Sequence, residues 1–179
     1  MPTLAARHTG HVTSRLLLLS DTHVPKRARQ LQDQVWRLVE NADLVIHAGD
    51  WVSLEFFEQL QTRAARLLAV AGNNDGPELW ERLGDVAHAE VEGVRFAVIH
   101  ETGPAAGRER RADERFAGSS DVLVFGHSHI PWNTTTPSGL HLLNPGSPTD
   151  RRRQPVGTVM TAVADDGALR DLTLVPTPR

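Results

Sequence analysis

Cysteine is absent from the 179-residue chain. Its absence excludes disulfides, thiolate metal sites, Fe–S clusters and cysteine nucleophiles. Tyrosine is missing too, and aromatic residues make up only 5%, which disfavours a nucleic-acid groove that stacks bases on aromatic rings. No run approaches the roughly 20 apolar residues of a membrane-spanning helix. Positive charge is not in excess, since 19 Lys and Arg stand against 22 Asp and Glu for a net charge of −3. A global field that gathers DNA or anionic lipid is therefore lacking. Any metal must be held by histidine, carboxylate or amide oxygen, which makes the nine histidines the residues to follow.

The length fits one domain with a core of ordinary size. Residues 1–14 are polar and contain no apolar stretch of signal-peptide length, so they read as a flexible N-terminal tail on a cytoplasmic protein, with the domain occupying 15–179. From Arg15 onward, short apolar runs alternate with helical segments. Leu16–Leu19, Leu44–Ile46 and Leu67–Val70 read as buried strands. A helix is predicted over about Gln30 to Asn41, and another runs from an N-cap at Ser53 to about Thr62. This is the rhythm of βαβ units. After Gly84 it changes: Glu92-Gly93 suggests a hairpin leading into a strand at Val94–Ile99, about Ala105 to Ala117 reads as a solvated helix, and Val122–Phe125 as a further strand. Turn signals at Ser138-Gly139 and Asp166-Gly167 predict an antiparallel C-terminal third. The expected class is α/β, one domain with a mixed two-sheet core.

The chemistry collects at the strand ends. Asp21 and His23 follow the first strand, Asp50 the second, Asn73-Asn74-Asp75 the third, His100 the fourth, and Gly126-His127-Ser128-His129 the fifth. The intervals are each close to a strand plus its crossover, a unit of roughly 30 residues. Ligands of open α/β sheets bind at the C-terminal strand edge, so these groups are expected to converge on one crevice. Taken singly, each piece has an ordinary reading as a helix cap, a turn or a packed histidine. Their recurrence at five strand ends is what points to a metal site. His47, within a strand and among apolar neighbours, reads as a hydrogen-bonded core residue. His8, His11, His88 and His141 are assigned no site role.

Seven candidate ligands remain: Asp21, His23, Asp50, Asn73, His100, His127 and His129. They exceed what one ion can use, whereas two ions roughly 3.5–4 Å apart can share them if one carboxylate bridges. The mixture of imidazole, carboxylate and amide oxygen suits Mn, Fe, Zn, Co or Ni, with manganese the first expectation. Two dications against the carboxylates Asp21 and Asp50 leave net positive charge for an anionic substrate. Such a pair stabilises a bridging hydroxide as nucleophile and clamps both oxygens of an in-line displacement at phosphorus.

This set resembles the five-block signature of the calcineurin-like metallophosphoesterases, from about Leu16 to Ser147. The short chain and Asn144-Pro145-Gly146-Ser147 resemble the small phosphodiesterase branch of bacteria and archaea. The resemblance implies a four-layer αββα sandwich with two mixed β-sheets. It implies two divalent ions, one on Asp21, His23, Asp50 and His129, the other on Asp50, Asn73, His100 and His127, with Asp50 bridging. It also implies hydrolysis of phosphodiesters, with phosphomonoesters left open. One block departs from the common pattern: Asn74 stands where many members carry a histidine that protonates the leaving group or steadies the phosphate. Asparagine donates a hydrogen bond but delivers no proton near neutral pH, so aryl esters are expected to react better than alkyl esters. Asp75 reads as a residue that holds its turn.

The expected partner is a small phosphoester, nucleotides included; nucleic acid and membrane are disfavoured, and a homo-oligomer is left open. Lys26, Arg27 and Arg29, and Arg151, Arg152 and Arg153, flank the crevice and read first as solvated surface. The competing class is a non-catalytic protein-interaction scaffold of the same fold, because fold alone licenses no activity.

Overall fold

Leu16, Leu17, Leu18 and Leu19 are all at most 2% exposed, although successive side chains of a strand point to opposite faces. Both faces of their sheet must therefore be covered, and the architecture shows by what. The computed structural model describes residues 12–178. The first eleven residues of the expected tail, with His8 and His11, lie outside the described residues, and Thr13 and Ser14 already belong to the first strand.

The chain runs β1 (Thr13–Leu19), α1 (Asp33–Asn41), β2 (Leu44–His47), α2 (Leu54–Arg63), β3 (Leu67–Ala69), α3 (Pro77–Leu83), β4 (Val86–Val91) and β5 (Val94–Ile99). It continues with α4 (Arg108–Phe116), β6 (Val122–Val124), β7 (Trp132–Thr135), β8 (His141–Asn144), β9 (Gly157–Asp165) and β10 (Ala168–Thr177). Two five-stranded sheets result, ordered β10-β9-β1-β2-β3 and β4-β5-β6-β8-β7. Both are mixed. β1, β2 and β3 are parallel while β9 and β10 add antiparallel; β5, β6 and β8 are parallel while β4 and β7 flank them antiparallel.

Leu16, Leu18, Leu44 and Ile46 meet Phe96, Val98, Val122 and Val124 between the sheets. Leu17, Leu19 and Val45 face the other way, onto Val35, Trp36 and Val39 of α1 and Phe56, Phe57 and Leu60 of α2. On the far side, Ala97, Ile99, Leu123 and Leu142 pack on Ala112 and Phe116 of α4. Helix, sheet, sheet and helix thus form the expected four layers around one inter-sheet core.

Several local readings shift. α1 begins at Asp33 and not at Gln30: Gln32, its N-cap, is extended (φ −62°, ψ 147°), and its side-chain amide donates to the Pro148 carbonyl at 2.8 Å. Ser53 caps α2 as expected, its Oγ accepting from the Phe56 N–H at 3.2 Å. α3 is not among the helices expected above, although Gly76 followed by Pro77 is a helix-start signal. α4 is solvated on one side only, since Arg108, Ala112 and Phe116 form a buried i, i+4, i+8 stripe. The C-terminal third is not wholly antiparallel: β8 pairs in parallel with β6, a non-local pairing that turn signals do not encode. Among the described residues no helix is long and apolar enough to cross a membrane.

Candidate metal centre

Backbone conformation brings the strand-end residues together. Asp21, His23, Asp50, His127 and His129 all have positive φ, at 53°, 44°, 62°, 69° and 58°. For residues with a Cβ this left-handed conformation costs about 1–3 kcal/mol each, and such strain clusters at functional sites. The turn it makes at each strand exit aims the side chain into the gap where the two sheets' loops meet. Glycine is required beside two of these groups. A Cβ on Gly126 would lie 2.8 Å from Asp21 Oδ2, and one on Gly72 would fall on the Asp50 backbone and carboxylate.

All seven candidate ligands converge. Asp21, His23 and His129 offer ligand atoms that lie within 4.8 Å of one another, as do Asp21, Asp50 and His100. His23 Nε2 stands 3.2 Å from His129 Nε2. His129 Nε2 lies 3.3 Å from Asp21 Oδ1, and His23 Nε2 lies 3.5 Å from Asp50 Oδ2. The other oxygen of Asp50, Oδ1, lies 3.4 Å from His100 Nε2. Asn73 completes the set: its Oδ1 is 2.9 Å from both His100 Nε2 and His127 Nδ1. Asp21, His23, Asp50, His100 and His129 are buried, whereas Asn73 and Asn74 are exposed and His127 is half-buried. The site has a closed end and an open mouth.

The donor chemistry fits cations. His100 Nδ1–H donates to the Ala48 carbonyl at 2.7 Å and His129 Nδ1–H to the Asp150 carbonyl at 2.6 Å. A carbonyl only accepts, so each neutral imidazole turns its Nε2 lone pair inward, the arrangement in which outer hydrogen bonds fix a metal-ligating tautomer. There the lone pairs face other acceptors, namely Asn73 Oδ1, the Asp21 and Asp50 carboxylates and His23. Such a cluster needs positive charge. Burial pushes His129 down, but the Asp21 carboxylate and the Asp150 carbonyl raise it above its usual value overall. Burial likewise pushes Asp21 up, but hydrogen bonding and charge from His129 outweigh this, so that Asp21 stays below the usual carboxylate range. His23 is lowered, burial outweighing the neighbouring carboxylates.

Surrounding loops brace the ligands. Asp75 does more than hold its own turn: its carboxylate accepts from the N–H groups of Gly72 (2.7 Å), Val52 (2.7 Å) and Asp50 (3.1 Å), tying the β2 and β3 exits together. Asn74, expected to face substrate, donates its side-chain amide to Asp50 Oδ2 (2.7 Å) and its backbone N–H to Asp50 Oδ1 (2.8 Å). Asn144 reaches the Gly126 carbonyl (2.8 Å), Ser147 the Asp21 carbonyl (2.7 Å) and Thr149 the Thr22 carbonyl (2.6 Å). Sequence reasoning gave these last three no role; the Asn-Pro-Gly-Ser turn was the available signal. His47 is the core residue expected, bonded to Thr22 Oγ1 (3.1 Å), accepting from the Gly49 N–H (3.2 Å) and stacked on Trp51. Of the basic residues, Arg27 pairs with Asp150 (3.2 Å) and Arg151 donates to the Gln154 carbonyl (2.5 Å), while the charge of Arg152 acts on His129.

A probable metallophosphoesterase of Methanothermobacter thermautotrophicus is 31% identical over 163 residues, 89% of this chain and 91% of that protein. A phosphodiesterase of Methanocaldococcus jannaschii is 29% identical over 130 residues, covering 63% of this chain and 71% of that protein. Among solved structures, vacuolar protein sorting 29 from Cryptosporidium parvum superposes with a TM-score of 0.75 over 93% of this chain and 99% of that one; at 19% identity it shows the fold alone. Residues 15–167 match the calcineurin-like phosphoesterase superfamily domain. The chain belongs to the calcineurin-like phosphoesterase superfamily, whose metallophosphoesterases include phosphodiesterases.

Proposed function

We propose that this protein is a binuclear metal-dependent phosphoesterase that hydrolyses phosphodiester bonds, with phosphomonoesters as a second substrate class. The observation that carries the reading is the division of one buried carboxylate, with Asp50 Oδ2 facing His23 and Asp50 Oδ1 facing His100. That division suits a bridging ligand. Asp21, His23 and His129 would complete one ion's set, and Asn73, His100 and His127 the other's. Two divalent ions, manganese first among Mn, Fe, Zn, Co and Ni, would supply a hydroxide near neutral pH and neutralise the attacking and leaving oxygens of an in-line displacement.

The chain's own residues do the rest. Asn74 and Asp75 fix the Asp50 carboxylate and its loop, which sets the separation of the two ligand groups. Asn73 and His127 stand at the open mouth, where a phosphoester enters from solvent. Asn74 has a second amide hydrogen for a phosphoryl oxygen but no proton to give a leaving group, which favours esters whose leaving group is stable as an anion. The scaffold alternative draws on the likeness to vacuolar protein sorting 29, which extends to the fold only. All seven ligand positions carry competent side chains, as an enzyme requires.

The test is plasma-emission metal analysis of protein reconstituted with Mn²⁺, combined with turnover of bis(p-nitrophenyl) phosphate. The account expects two equivalents of bound metal and hydrolysis abolished by chelation. Protein that binds no stoichiometric metal and shows no metal-stimulated hydrolysis would favour the scaffold.

A further inference from the structure

A cleft of about 370 Å³ opens directly beside His127, walled by Glu101, Pro104, Arg108, Ile130 and Trp132. That volume lies near the lower end of small-molecule sites and accommodates a ring-sized substituent, not a polymer. Two of its features bear on what it could bind. Ile130, one residue after His129, is 48% exposed, a large apolar side chain left in water at the rim. Arg108, by contrast, is only 5% exposed. Its guanidinium lies over the rings of Trp132 and Phe125, 4.5 and 4.9 Å from their centroids, and its Nε donates to Thr102 Oγ1 at 2.8 Å.

Among the described residues Arg108 forms no ion pair. The neighbouring acid Glu109 is engaged by the Thr134 hydroxyl (3.3 Å). Burial holds this guanidinium below its usual pKa, opposed only in part by the charge of Glu109, so an anion in direct contact would stabilise it. Glu101, the acid of the cleft, sits at the mouth with its side chain 54% exposed, 3.9 Å from His127. The cleft thus offers an aromatic and aliphatic wall, a cation at its inner end and continuity with the candidate metal centre through His127.

We propose that this cleft is the subsite for the ester's non-transferred half, and that it takes a planar ring bearing a second anionic group, a carboxylate or a phosphate, which Arg108 receives. The inference rests on the phosphoesterase reading and names its substrate class: the ring packs between Trp132 and Ile130 while the reacting phosphate lies toward His127 and Asn73.

The test can be made without catalysis. Metal-free protein, labelled with ¹⁵N, is titrated with phenylphosphonate and with 4-carboxyphenylphosphonate while the Trp132 indole N–H resonance, assigned through Trp132→Phe, is followed. Both ligands should move that resonance, the carboxylated one with about tenfold tighter apparent affinity, and 4-phosphonophenylphosphonate should share the advantage. Arg108→Gln should abolish the preference. Because Arg108 also packs in the core, Ile130→Glu serves as a second variant: at an exposed rim position it leaves the fold intact and should remove the preference by repulsion. An unmoved Trp132 resonance, equal affinities for the two phosphonates, or a preference that survives both variants would overturn the proposal. Turnover of bis(p-nitrophenyl) phosphate, measured separately on the metal-loaded protein, reports on the phosphoesterase reading. Saturable shifts without turnover would refute the reaction and leave the anion subsite, and turnover without shifts would do the reverse.

Discussion

Asn74 holds both oxygens of Asp50, one through its side-chain amide at 2.7 Å and the other through its backbone N–H at 2.8 Å. Asp50 is thereby oriented before any ion arrives. Hydrogen bonds of this kind around a ligand are worth about 10–100-fold in metal affinity. Asn74→Ala keeps the backbone bond and loses the other, so the Kd for Mn²⁺, measured by calorimetry, should rise by roughly tenfold. An unchanged Kd would show that Asp50 needs no such support.

Histidine at the same position should change the chemistry in a different way. Asn74→His introduces a group able to deliver a proton near neutral pH, which general acid catalysis requires for a poor leaving group. At saturating Mn²⁺, turnover of methyl p-nitrophenyl phosphate, whose p-nitrophenyl group departs as the aryloxide, should change little. Hydrolysis of a dialkyl phosphate should rise on the order of 10²-fold, the usual scale of general acid–base assistance. An identical leaving-group dependence in the two proteins would remove the explanation offered for asparagine here.

Asp75 accepts three backbone N–H bonds from two loops, and burial raises its pKa, only partly opposed by those bonds. Asp75→Asn retains one acceptor oxygen and turns an amide toward donors. We expect a stability loss of about 2 kcal/mol in metal-free protein, the scale of leaving buried N–H donors without an acceptor. Urea denaturation of the metal-free variant checks this, and an unaltered midpoint would contradict the role given to the carboxylate.

How far these relationships can be read from the sequence depends on whether they are local. Leu16–Leu19 was legible as a buried strand because a strand covered on both faces is apolar at every position. Ser53 was legible as a cap because capping is settled within one turn. The strand-end spacing likewise placed Asp21, His23, Asp50, Asn73, His100, His127 and His129 at one edge, where the structure gathers them. Asn74 on Asp50, Asn144 on Gly126 and Ser147 on Asp21 were not legible. Each joins residues far apart in the chain, through loops whose left-handed turns at Asp50 and His127 have no local composition signal. The parallel pairing of β8 with β6 was hidden for the same reason.

His47 is kept neutral inside the fold, burial pushing its pKa down to about 3. The unfolded chain protonates it near 6.5. Between those values only the unfolded state takes up the proton, so stability falls as the pH drops through that window, by about 1.4 kcal/mol per pH unit, and is fully present above it. In metal-free protein, His47→Gln should flatten the dependence of the unfolding free energy on pH between 6 and 4 by close to one proton. Parallel profiles for the two proteins would mean that His47 is not held neutral.

The division of Asp50 between two imidazole groups leads to the most direct measurement. Electron paramagnetic resonance of the Mn²⁺-loaded protein distinguishes ions roughly 3.5–4 Å apart, which couple through a shared ligand, from isolated ions. The account predicts an exchange-coupled signal at two equivalents of Mn²⁺. Asp50→Asn should abolish it, and His127→Ala should convert it at limiting metal into the six-line spectrum of a single ion. An isolated six-line spectrum from the unaltered protein at every loading would contradict the claim that these seven side chains hold a pair of ions.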